Sequence, residues 1–171
     1  MLSLAGLIAF EVDPEEGRVL LDRSIKKDKD DKHKRAVSIA VKLEEAGNLD
    51  EAARFYREAA KLAKDIPTRA NTLFTAGQAL VKAEDTKEAD KVFIEASAVA
   101  KATDKDLAVN LLLNALDKEL WSESLVDNLI ELDPAKAVSY FENKIADGDK
   151  SEYFHDRCAQ VLESLNDYER A

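Results

Sequence analysis

Apolar residues recur at spacings of three and four along almost the whole chain, the period of a helix with one buried face. Over residues 33–64 the first stripe is Ala36, Ile39, Ala40 and Leu43, and the second is Ala52, Phe55, Tyr56, Ala59, Ala60, Leu62 and Ala63. Gly47-Asn48-Leu49-Asp50 separates them. Glycine enters the left-handed conformation that ends a helix without a Cβ clash, so Gly47 is expected to close the first helix and Asp50 to cap the second. Upstream, an apolar helix over Met1 to Phe10 precedes Asp13-Pro14, a cap followed by a first-position proline. Downstream, Leu107, Leu111, Leu112 and Leu116 share a face of 106–120, and Leu125, Leu129 and Leu132 share a face of 122–132. Asp133-Pro134 opens a helix carrying Ala137, Val138, Phe141 and Ile145, which Gly148 ends. A last helix over Ser151 to Tyr168 carries Phe154, Cys158, Val161, Leu162 and Leu165. The pattern predicts an all-α protein of about nine or ten helices in antiparallel pairs with short connections.

The pattern also repeats. A shift of 37 residues carries Ala52 onto Ala89, Tyr56 onto Phe93, Ala59 onto Ala96 and Leu62 onto Val99. In the preceding helix it carries Ala36 onto Leu73, Ala40 onto Gly77 and Leu43 onto Leu80. Small residues fall on small ones at three of these positions. A small residue where helices cross lets the backbones approach, and a large one there costs packing strain. A weaker copy of the second helix lies 35 residues upstream, where Glu16-Gly17, Leu21 and Ser24 precede Glu51-Ala52, Tyr56 and Ala59.

The motif Ala40…Leu43…Gly47…Asp50-Glu51-Ala52…Tyr56…Ala59 resembles the tetratricopeptide repeat, and Gly77…Leu80…Glu88-Ala89…Phe93…Ala96 resembles a second copy. The spacing departs from the family's usual 34 residues, an excess expected to lengthen the second helix and the turn around Asp65-Ile66-Pro67. The early aromatic of the family motif is Ala36 or Leu73, and its closing proline is Lys64 or Lys101. The resemblance is good over 33–102, partial over 1–30 and poor over 103–171. It implies a right-handed α-solenoid in one domain, with the C-terminal part a divergent or capping segment.

It also implies a concave groove lined by the first helix of each pair. The groove positions are Lys34, Val37, Ser38, Val41 and Glu45 in one repeat and Asn71, Phe74, Thr75, Gln78 and Lys82 in the next. The carboxylate clamp of Lys, Arg and Asn that the family is best known for is absent, because Val37, Val41 and Phe74 hold key positions. The groove would be apolar in its centre and polar at its rim, which suits a partner helix or an apolar peptide segment. Two arrangements stay open: an accessible groove, or one filled by the chain's own C-terminal helices.

Composition narrows the function further. Charged residues make up 35% of the chain and the formal net charge is −10, which opposes binding to phosphate backbones or anionic membranes. The apolar N-terminus lacks a preceding basic stretch and the length for a membrane span, so it is expected to pack internally or to seal a homodimer. A single cysteine, Cys158, excludes an internal disulfide and fits a reducing, cytoplasmic setting. The mixed run Lys26 to Arg35 reads as a solvated inter-helix turn more readily than as a basic handle, since acids interrupt it. Acid pairs such as Glu44-Glu45 read as solvated faces.

No catalytic, cofactor or metal constellation emerges. His155 and Cys158 share a helical face but would need further ligands. Trp121 either anchors a partner or fills a helix junction. The sequence therefore points to a non-enzymatic interaction scaffold. Alternatives are a trafficking-type module, since Ala36 to Ala63 also resembles the first two helices of microtubule-interacting-and-trafficking domains, and a regulatory subunit of an enzyme.

The proposed register makes a direct prediction. Ala52→Leu or Ala89→Leu should each cost about 1–3 kcal/mol by overpacking a helix crossing. Chemical denaturation measures the loss, and unchanged stability in both variants would refute the register.

Overall fold

A computed structural model describes residues 2–148 and 152–165. Among the described residues there are ten α-helices and no strands. They are α1 (Leu2–Val12), α2 (Pro14–Lys27), α3 (Lys32–Glu45), α4 (Leu49–Leu62), α5 (Ile66–Lys82), α6 (Thr86–Lys101), α7 (Lys105–Asn114), α8 (Glu123–Leu132), α9 (Pro134–Ala146) and α10 (Glu152–Ser164). Met1 and the predicted ends of the last helix, Ser151 and Tyr168, lie outside the described residues.

The starts of these helices follow from short polar side chains. Asp13, Asp31, Asp65, Asp85, Asp104 and Asp133 each cap a helix by accepting a backbone N–H of its first turn. A carboxylate there also meets the positive end of the helix dipole. Six of the chain's 35 acidic residues thus start helices. Asp65-Ile66-Pro67, expected to be a turn, instead opens α5, with Asp65 accepting the Thr68 N–H at 2.8 Å. Asp50 is not a cap: α4 begins earlier, with Asn48 at the cap position and Asp50 inside the first turn.

The α3–α4 turn shows why. Gly47 has φ +79°, its N–H bonds the Glu44 carbonyl at 3.0 Å, and the Asn48 N–H bonds the Leu43 carbonyl at 2.8 Å. This pair of bonds uses two carbonyls of the last turn and reverses the chain within the three residues Ala46, Gly47 and Asn48, so α4 starts at once. The α5–α6 turn repeats it 37 residues later, with Glu84 N–H to Val81 and Asp85 N–H to Leu80, both at 3.0 Å. Glu84 there takes the left-handed conformation at φ +64°.

Packing follows the chain. α1 packs on α2, α3 on α4, α4 on both α3 and α5, α5 on α6, α6 on α7, and α9 on α10. Contacts also join α1 to α3, α5 to α7 and α6 to α8. One core runs from Phe10 through Leu43, Phe55, Phe93 and Leu129 to Leu162, and a smaller cluster around Leu73 and Leu111 joins α4, α5, α6 and α7.

The small-residue positions sit at the crossings. Ala40, Ala52, Ala59, Gly77, Ala89 and Ala96 are all buried, as are Tyr56 and Phe93. A Cβ on Gly77 would lie 2.5 Å from the Phe93 ring. The upstream pair uses the same device. Cβ atoms on Gly6 and Gly17 would lie 2.8 Å from the Leu21 side chain and 2.4 Å from the Phe10 backbone. Gly6 therefore stands to Leu21 as Gly77 stands to Phe93.

Beyond α6 the helices shorten. The helix expected over 106–120 is α7 followed by a five-residue π-helical segment, Ala115–Glu119, closed by the Leu120 N–H on the Ala115 carbonyl at 2.8 Å. Ser122 caps α8 by accepting the Leu125 N–H. The cap positions Asn48, Asp85 and Ser122 stand at successive intervals of 37, so the period persists in helix starts after the small-residue pattern fades.

Glu84→Gly should stabilise the protein by about 1 kcal/mol, since a left-handed conformation costs an L-residue about 1–2 kcal/mol and glycine gives back part of this as unfolded-state entropy. Thermal unfolding reads the gain as a higher Tm. A lowered Tm would refute the strained-turn assignment.

Candidate functional site

The exposed sides of α3 and α5 form a shallow cleft of about 440 Å³, lined by Val37 and Val41, by Tyr56 of α4, and by Thr68, Asn71, Thr72 and Thr75. Helical geometry places these residues. Val37 and Val41 are one turn apart on α3, and Thr68, Asn71, Thr72 and Thr75 repeat at three and four on α5. The buried faces of the same helices, Ala36-Ile39-Ala40-Leu43 and Leu73-Ala76-Leu80, hold them in place.

Four of the predicted groove residues, Val37, Val41, Asn71 and Thr75, meet in this cleft. Val41 is 37% exposed. Lys34 and Ser38 are exposed on the same helix, with the Lys34 ammonium 3.7 Å from Asp31. Phe74 and Gln78 are more engaged. Phe74 is half-buried with its ring 5.0 Å from that of Phe93, and Gln78 donates to Glu119 at 2.7 Å. Gln78 thereby ties α5 to the π-helical segment. Tyr56, Thr68 and Thr72 are not among the groove residues expected from sequence. Tyr56 reads as a packing position and is one, but its edge also floors the cleft.

The hydrogen-bonding capacity of the lining is mostly committed. Thr72 donates to the Thr68 carbonyl at 2.7 Å and Thr75 to the Asn71 carbonyl at 3.1 Å. The Asn71 amide is the exposed hydrogen-bonding group of the lining.

At one edge, Glu44 joins three helices. It accepts from the Tyr56 hydroxyl at 2.9 Å and from the Lys82 ammonium at 2.6 Å. Glu44 is thus not on a freely solvated face, while Glu45 is exposed and pairs with Lys42. Partial burial alone would raise the Glu44 carboxyl, but the bonds from Lys82 and Tyr56 outweigh it and hold it below the ordinary value of 4.5. Burial, then the bond to Glu44, pushes the Tyr56 phenol well above its usual range.

The other faces carry ion pairs. Glu51 of α4 receives Arg18 of α2 at 2.6 Å and its own Arg54 at 2.9 Å. Glu88 of α6, its counterpart 37 residues on, receives Arg57 of α4 at 2.9 Å and its own Lys91 at 2.8 Å. A second cleft of about 400 Å³ between α2, α3 and α4 is lined by Asp22, Lys26, Lys32, Arg54 and Glu58 among others. Its charges are mixed, with Arg54 3.5 Å from Asp22. The Lys26 to Arg35 run forms the α2–α3 turn and the start of α3, where Asp28 pairs with Arg35 at 2.9 Å. His33 is bound through Nδ1 to the Ala59 carbonyl at 2.9 Å.

Among the described residues, no three His, Cys, Asp or Glu side chains converge as a metal site. Cys158 is buried and His155 exposed. Trp121 is half-exposed, edge-on to Tyr153 and Phe154 of α10 with centroids at 5.3 and 6.5 Å. It seats the segment before α8 against the last helix. Among the described residues, no helix is long and apolar enough to cross a membrane. No known protein-family model matches the chain, and no curated protein sequence does.

Glu44 gives a pH prediction. Its folded pKa lies below 4.5, so its contribution is fully present above pH 4.5 and is lost as pH falls through the lower folded value. Glu44→Gln should cost about 1 kcal/mol at neutral pH, where the carboxylate is ionised. The gap to the unmodified protein should shrink at an acidic pH, as pH falls below 4.5 and through the lower folded value. Urea titrations at both pH values measure it, and an equal gap at both would show that the carboxylate charge is not what matters.

Proposed function

We propose that this chain is a tetratricopeptide-like, right-handed helical solenoid that binds a protein partner, and that its role is not catalytic. Sequential packing of helix pairs, the 37-residue recurrence of helix starts and the recurring small residue against a large one support the architecture. On this reading α1, α3, α5 and α7 line the concave side.

One observation carries the binding role. The cleft between α3 and α5 is lined entirely by uncharged residues, in a chain of which 35% is charged. Val37 packs in part against the core while Val41 is exposed, and an uncharged strip of this kind favours a partner that buries it. The dimensions suit one helix face or extended segment. Val37 and Val41 would supply apolar contact, and Asn71 one directional hydrogen bond. Such a partner would be uncharged or weakly charged where it enters the cleft, with small or aliphatic side chains.

Affinity capture from the native cell tests this with three baits: the unmodified protein, Val41→Glu in the cleft and Ala98→Glu on the exposed side of α6. Partners should be reduced at least about tenfold with Val41→Glu, because the glutamate would be desolvated in the complex. They should be retained with Ala98→Glu. Undiminished capture by a folded Val41→Glu bait would refute the cleft as the binding site.

A further inference from the structure

The first helix pair ends in a bare apolar face. By repeat position, Gly6 against Leu21 matches Gly77 against Phe93, so Ala5 and Ile8 of α1 match Ala76 and Ala79 of α5, and Val12 matches Ala83, the residue that closes α5. In α5, Ala76 and Ala79 are fully buried and α5 packs closely on the preceding helix α4, whereas in α3, which packs only lightly on α2, the residue matching Ile8 is the exposed, charged Lys42. In α1, Ile8 is 59% and Val12 85% exposed, with Leu4 beside them at 63%. Among the described residues no helix covers them. Large aliphatic residues this exposed on one helix form an apolar surface that a partner would bury.

The second helix of the pair shows what fits. In α4 and α6 the side facing the preceding pair carries Glu51 and Glu88, which hold arginines of that pair. Their counterpart in α2 is Glu16. Arg23 matches Glu95, which also reaches back to Arg57 at 3.7 Å, and Val19 matches Lys91. The corresponding side of α2 thus carries Glu16, Val19 and Arg23, all exposed, with Val19 at 50%. Spaced by three and four, they share one helical face, with acid and base roughly 10 Å apart. Such a face is complementary to itself under a two-fold axis. Antiparallel α2 helices would set Glu16 of one copy against Arg23 of the other, twice, with the two Val19 side chains between. A partner of uniform charge would match only one of the two.

We propose that the α1–α2 end face is a homodimer interface, in which a second copy of this chain covers Ile8, Val12 and Val19 and pairs Glu16 with Arg23 across a two-fold axis. This uses the repeat equivalence of α1–α2 and is independent of the cleft between α3 and α5.

Multi-angle light scattering and sedimentation, with protein up to about 100 μM to populate a small interface, test it. The unmodified chain should reach twice its 19.0 kDa mass. Ile8→Glu should remain a monomer. Arg23→Glu, which sets acid against acid, should weaken the dimer about tenfold or more. The double variant Glu16→Arg with Arg23→Glu restores self-complementarity and should recover the dimer. Val41→Glu should leave the mass unchanged, which separates this interface from the cleft. A monomeric unmodified protein would overturn the proposal, as would a dimer indifferent to Ile8→Glu. A charge-exchanged double variant no better than Arg23→Glu alone would overturn the two-fold arrangement.

Discussion

The close approach of two helices at one small residue is the contact on which the rest of this structure depends. Gly6 against Leu21 and Gly77 against Phe93 are its two glycine forms, and Ala40 with Tyr56 occupies the same register between them. At each crossing the first helix gives up its Cβ or keeps only a methyl, and the second fills the space with a large side chain. That exchange fixes how near the helices lie and how one is rotated about its axis relative to the other. Rotation decides which residues face out. Val37, Val41 and Asn71 reach the surface of α3 and α5 because Ala40 and Gly77 point the opposite side of each helix inward.

Electrostatics reinforces this order without creating it. The aspartates that start helices shorten the connections, because a cap lets a helix begin immediately after a turn. Glu51 and Glu88, at equivalent positions, each join an arginine from the preceding pair to a base of their own helix. These pairs are partly solvated and individually worth little. Their value is in register, since each spans two helix pairs. Glu44 does the same on the other side, tying α3, α4 and α5 at the edge of the cleft.

Two surfaces depart from this charged background. The cleft between α3 and α5 is lined by uncharged residues, and on the α1–α2 face Ile8, Val12 and Val19 are exposed among the described residues. In both, the outward residues differ from those of the neighbouring helix pairs, while the crossings keep a small residue against a large one. Binding surfaces are cheap to place on such a scaffold, since the crossings tolerate any exposed residue that leaves them alone.

The sequence by itself determined the all-helical class and most of the helix bounds. Those rest on local and periodic signals: three- and four-residue spacing, aspartate before a run, and small residues recurring with large ones. Gly47 as a left-handed helix end is legible for the same reason, and so is the burial of Ala52, Ala89, Tyr56 and Phe93. The turn at Glu84 is hidden, because its residue type gives no sign of a left-handed backbone; only its position 37 residues after Gly47 marks it. Gly6 reads in the sequence simply as part of an apolar run. Other features belong to the tertiary structure alone. Whether Glu44 is solvated depends on Lys82, 38 residues away, and whether Gln78 is available depends on Glu119 in a π-helical segment that no spacing announced. Phe74 lies in the predicted groove stripe, yet its ring is drawn toward Phe93. Helical periodicity tells which side of a helix faces the core, but how deeply a borderline position is covered is set by neighbours that are distant in the chain.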